Sequence, residues 1–226
     1  MIEETDFETF LSISKNKYQI FVYDKNSSKN LYNVELMIDD DIELNHLSKF
    51  LDDNIYKIEK MVSIFIRNII LIIEDEKVLN VGISIKKKNY EKYTDQKSLE
   101  NSLIEIKDIF RENYQDQIIM HMIIINNDNN EKFLINNNDY LYLEVNFISA
   151  SNSFTYTFDK LLEDHQIKIG QYMSEGYIKS FFDEKAAELP AIANKLYNGL
   201  NKNEVKLVSK NRENKGLFER FFELFS

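Results

Sequence analysis

A chain of 226 residues with 28 Lys and Arg against 38 Asp and Glu has a formal net charge of −10; that balance repels nucleic-acid phosphates and anionic lipids except where basic residues are locally concentrated. The absence of cysteine excludes disulfides, iron–sulfur clusters and thiolate zinc sites. Glycine (5) and proline (1) are scarce, and Gly82, Gly170, Gly176, Gly199 and Gly216 stand singly, so no glycine-rich phosphate cradle can be built from neighbours.

The acidic start, Met1 to Asp6, lacks the basic-then-apolar order of a signal peptide. The longest apolar run, Met61 to Ile73, is broken by Arg67-Asn68 and is too short to span a bilayer, so a cytoplasmic protein is expected. Phe10 to Ser14 and Tyr18 to Tyr23 read as strands joined by the polar turn Lys15-Asn16-Lys17, with Leu31 to Ile38 a third. After Asp39-Asp40-Asp41, the residues Leu44, Leu47, Leu51, Ile55, Ile58 and Val62 recur at helical spacing and predict a long amphipathic helix. Arg67 to Ile73 is apolar without alternation, as in a strand covered on both faces, and Val78 to Ile85 continues as strand.

A second unit opens with a helix capped at Thr94 or Asp95 and carrying Leu99, Leu103, Ile106 and Phe110 on one face. Strands follow at 118–125, 133–135 and 140–148, then a helix capped by Ser153, then a strand over Gln166 to Tyr172. Beyond Ser174 the pattern is helical: Tyr177, Ile178, Phe181 and Phe182 form an apolar patch, Pro190 restarts a helix and Gly199 ends it. The order predicts an α+β fold with helices on a mostly antiparallel sheet.

Several segments resemble FtsA, an actin-like ATPase of bacterial cell division. Ile118-Ile119-Met120-His121-Met122-Ile123 is similar to that family's "ilHvip" strand, Leu143 to Ile148 to its "Lev.vhiv" strand, Ser149 to Leu162 to the helix that follows, and Gln166 to Ile169 to its "gl.v" strand. The resemblance implies a partial actin-like (ribonuclease H-like) half domain formed by 1–85 with 174–200. It further implies an inserted strand-helix-strand-strand module at 86–173, similar to the family's interaction subdomain 1C, a polar connector at 201–215 and an amphipathic tail helix at 216–226. Where the family's first phosphate loop carries Asp-x-Gly, this chain has Ser12-Ile13-Ser14. Ser12 lacks the carboxylate associated with a metal-bound nucleotide, and a Cβ at Ser14 obstructs backbone approach to phosphate. No second actin half is expected after Asp183. The chain is therefore read as non-enzymatic, without a nucleotide, metal or other cofactor.

The end of the chain, Gly216 to Ser226, places Leu217, Phe218, Phe221, Phe222, Leu224 and Phe225 on one arc at about 100° per residue, with Glu219, Arg220 and Glu223 opposite. Burying such side chains is worth roughly 1.5–3 kcal/mol each, whereas so short a helix is marginal alone in water. Lys210, Arg212 and Lys215, with Lys202 and Lys206, precede it as a local basic excess. The FtsA resemblance implies that this tail binds lipid on the inner face of the cell membrane, and that the 1C-like module docks on division proteins or on another copy of the chain. Two other readings are a cytoplasmic binding module whose tail packs on its own core, and a degenerate sugar-kinase or Hsp70-like ATPase fragment. His46, His121 and His165 lack ligand spacing and read as structural or solvated. Asp39-Asp40-Asp41 lacks the spacing of a calcium loop, and Lys86-Lys87-Lys88 reads as a solvated strand end; no nucleic-acid partner is expected.

Overall fold

In the computed structural model, the described residues are 7–27, 29–38, 43–88, 96–125, 135–136, 140–182 and 188–205. Strands β1 (Phe7–Ser14) and β2 (Lys17–Asp24) form an antiparallel hairpin with Lys15 and Asn16 at its turn, and β3 (Lys29–Met37) extends it antiparallel along β2. Helix α1 (Leu44–Val62) then crosses back so that β4 (Asn68–Ile73) runs parallel to β1. The strand β9 (Lys168–Ser174) runs parallel to β4 and completes a sheet of order β3-β2-β1-β4-β9.

Both faces of this sheet are covered, which explains the unbroken apolar run of β4 and the burial of successive residues in β1 and β2. On one face Leu11, Ile13, Tyr18, Ile20 and Leu71 pack against Leu47, Leu51 and Ile58 of α1, and against Phe158 and Leu162 of α3 (Asn152–Asp164). On the other, Phe10, Phe21, Ile70 and Ile72 meet Tyr177 and Ile178 of α4 (Glu175–Lys179) and Ile192 and Leu196 of α5 (Leu189–Tyr197).

The second sheet has the order β5-β8-β6, from β5 (Leu79–Lys88), β8 (Tyr140–Ser151) and β6 (Gln117–Ile124), with the short β7 (Ile135–Asn136) beside β8. Helix α2 (Gln96–Asn113) covers one face, burying Ile106 and Phe110 on Met122, Leu143, Val145 and Phe147. The long β8 joins the units, because Phe147 belongs to this core while Ile148 and Ala150 enter the two cores of the first sheet.

Two strands lie across the expected divide at 85/86 and 173/174. The strand starting near Val78 pairs along its whole length with β8 in the second sheet, and the strand ending at Ser174 is an edge of the first. The patterns carry the reason. Val81, Ile83 and Ile85 alternate with exposed Gly82, Ser84 and Lys86, as suits a sheet covered on one face only, whereas Met173 and Ser174 are buried in the main body. Ser151, not Ser153, caps α3: it is extended at φ −67, ψ 145 and its side chain accepts the Phe154 N–H, while Ser153 is already helical.

Candidate functional site

Polar residues concentrate where β1, β4 and β9 end together. Ser12 and Ser14 stand on the same face of β1 as Phe10, but Ser12 lies beyond the apolar core and opposite Gln19 of β2. The Ser12 hydroxyl donates to Glu175 Oε2 at 2.9 Å in a buried contact. Glu175 Oε1 faces the Lys179 ammonium at 3.1 Å, and that ammonium also donates to Glu74 Oε1 at 2.6 Å. Glu175 is the first residue of α4, directly after the capping Ser174, so the strand-to-helix turn delivers its carboxylate to the sheet's end. Burial alone would lower the Lys179 pKa, but its bonds to Glu74 and Glu175 hold it above the ordinary lysine value. Ser14 is spent on the hairpin, donating to Asn16 Oδ1 and the Lys17 carbonyl at 3.2 Å each.

A second cluster joins the two sheets to the chain's later segment. The His121 ring is fully buried on β6. Its Nε2 accepts the Ser174 backbone N–H at 2.9 Å, and its Nδ1 lies 2.6 Å from Glu204 Oε1. An amide nitrogen can only donate, so Nε2 is unprotonated and the ring's proton sits on Nδ1, directed at Glu204. The other Glu204 oxygen accepts from the Tyr177 hydroxyl at 3.0 Å, and the Asn201 amide donates to that hydroxyl at 2.8 Å. Burial first, and then the Glu204 carboxylate, push the Tyr177 phenol well above the usual tyrosine range. Around this knot the backbone of 203–205 runs antiparallel to β6: Ile124 N–H reaches the Asn203 carbonyl at 2.9 Å, and Val205 N–H the Met122 carbonyl at 2.8 Å. The part of the polar connector that is described is thus fastened to the second sheet.

No known family's sequence profile matches the chain, and no curated protein matches it. Solved structures do. One is a Bacteroides thetaiotaomicron VPI-5482 protein with an actin-like ATPase fold and unknown function, 12% identical with a TM-score of 0.39, aligned over 80% of this chain and 58% of that one. Another is the PilM–PilN type IV pilus biogenesis complex, 9% identical with a TM-score of 0.50, aligned over 76% of this chain and 48% of that one. The chain has a partial actin-like fold. It spans about half the length of these structures.

Within that fold, Ser12 and Ser14 lie at the end of β1 that meets β2, where the FtsA resemblance sets the first phosphate loop. Of the residues that occupy the place, Glu175 and Lys179 are an i,i+4 pair on α4, a spacing legible in the sequence, whereas Glu74 lies 105 residues before Lys179 and carries no spacing signal. His121 does serve structure, as its lack of ligand spacing suggested, but its partner Glu204 sits in a segment read as plain connector. Leu217, Phe218, Phe221, Phe222, Leu224, Phe225, Lys210, Arg212 and Lys215, read as lipid-binding, lie outside the described residues, as does the expected cap at Thr94 or Asp95. Among the described residues, no helix is long and apolar enough to cross a membrane, and no three histidine or carboxylate side chains gather as a metal site.

Proposed function

We propose that the chain is a non-catalytic, FtsA-like adaptor of bacterial cell division, a docking body held to the inner face of the membrane by its amphipathic tail. The supporting observation is the Ser12–Glu175–Lys179–Glu74 chain of contacts. A polyphosphate placed at Ser12 would meet the buried Glu175 carboxylate, and the cation beside that carboxylate, Lys179, is already held between Glu175 and Glu74. Like charges brought together in such a site cost several kcal/mol. At that place this chain carries an ion pair of its own, with Glu175 buried and Lys179 and Glu74 half-exposed, which suits a scaffold rather than an enzyme. The PilM–PilN complex offers a parallel: a similar fold there belongs to a complex of type IV pilus biogenesis. In this chain the second sheet is the docking unit for other division proteins or for another copy of the chain.

The tail is tested on vesicles containing anionic lipid. The full chain is expected to co-sediment with them, and deletion of 216–226 or Phe221→Glu to abolish binding; undiminished binding by both variants refutes the lipid role. A second reading has its own support in an exposed apolar patch at the end of α1, where Met61, Ile64 and Phe65 are 44, 53 and 75% exposed. A tail packed on that patch would make the deletion lower the melting temperature with no effect of lipid.

A further inference from the structure

Strand β3 ends the first sheet, and among the described residues no strand pairs with its outer edge. Such edges are normally blunted by charge, proline or a covering element. A bulge interrupts the pairing of β3 with β2 between Asn30 and Tyr32, but from Tyr32 to Met37 the strand is regular and shows Leu36 at 41% and Met37 at 65% exposure. Beside it runs a groove of about 720 Å³ between β3 and α1, lined by Val34, Leu36 and Met37 on one side and Phe50, Asp53 and Lys57 on the other.

The backbone direction follows from the ladder. Ile38 N–H bonds the Asn16 carbonyl at 2.9 Å, so by antiparallel alternation Leu36, Val34 and Tyr32 also bond inward to β2, while Asn33, Glu35 and Met37 turn their N–H and C=O groups outward. We propose that two copies of the chain pair antiparallel through these edges, about a twofold axis at Val34, joining the two five-stranded sheets into one. The strand is self-complementary in that register. Tyr32 meets Leu36 of the second copy, Val34 meets its own counterpart, Asn33 faces Glu35, and the exposed Leu31 and Met37 lie equally far on either side of the axis. Shifting the pairing toward Met37 by one register step sets Glu35 against Glu35, and shifting it the other way leaves Met37 facing Lys29. A closed, isologous contact results, which stops at two copies. It needs neither lipid nor the proposed division role.

Sedimentation equilibrium of the full chain in the micromolar range, without lipid, is expected to give twice the 26.9 kDa chain mass. Glu35→Pro removes an outward N–H without touching the β2 ladder and should return the chain to monomer with its circular dichroism unchanged. The chain has no cysteine, so Val34→Cys supplies a single reporter. Its counterpart across the axis is a non-hydrogen-bonded neighbour with Cα atoms about 4.5 Å apart, within disulfide reach. Mild oxidation should therefore cross-link it, but not Tyr56→Cys, placed at an exposed site on α1 away from the groove lining. A monomeric wild type, or a dimer in which Val34→Cys stays reduced while Glu35→Pro changes nothing, overturns the proposal.

Discussion

At the scale of single residues, the His121 ring is gripped at both nitrogens, and one carboxylate, Glu204, answers both that ring and the Tyr177 hydroxyl. Removing it leaves two buried donors unmet. Hydrogen bonds to a charged group are worth about 1.5–3 kcal/mol, so Glu204→Ala should destabilise the fold by about 2 kcal/mol or more in urea unfolding. Glu204→Gln, which keeps an oxygen for one donor, should cost less. Burial raises the pKa of Tyr18, Tyr32, Tyr172, Tyr177 and Tyr197, and Lys179 is also raised by its two carboxylate partners despite its burial. Groups raised on folding contribute fully below their unfolded values, about 10 for tyrosine and about 10.4 for lysine, and the contribution is lost as pH climbs toward the folded values. The urea midpoint should therefore fall on going beyond about pH 10, and Tyr177→Phe should remove part of that fall.

At the scale of elements, the end of α5 shows sequence and structure in agreement. Gly199 has φ 90; its N–H bonds the Leu196 carbonyl at 2.9 Å, and Leu200 N–H reaches the Lys195 carbonyl at 2.9 Å, the paired bonds of a Schellman cap. Gly199→Ala is expected to cost about 1 kcal/mol, since a Cβ is strained in that region, and a thermal melt will read it. The helices and strands were legible because their signals are local: helical spacing in α1, the unbroken apolar run in β4, Pro190 at the start of α5. Sheet membership was less so, because a strand's partners depend on residues far along the chain. Val78 to Ile85 was legible as strand, and the alternation of Val81, Ile83 and Ile85 fits a sheet covered on one face, yet nothing local says which sheet receives it. Of the site, Ser12 and Ser14 were legible as absences of Asp and Gly and Glu175–Lys179 as an i,i+4 pair, while Glu74 reaches Lys179, and Glu204 reaches His121, only through packing.

At the scale of the whole molecule, the first sheet gives a rigid actin-like half and the second a lobe bound to it through β8 and the His121 knot. If the ion pair at Ser12 closes the phosphate position, titration with Mg-ATP should give no heat, and Glu175→Ala should not restore binding, because Ser14 and the missing glycines still bar a phosphate cradle; a saturable signal in the wild type would contradict this. The clasp of residues 203–205 on β6 also fixes where mechanical load enters the body. A pull applied at Val205 is borne first by the bonds to Met122 and Ile124 and by Glu204's hold on His121 and Tyr177, not by the helices around the first sheet. Under tension at that point the lobe and the body would be tugged together at their seam, moving as one piece until the clasp tears.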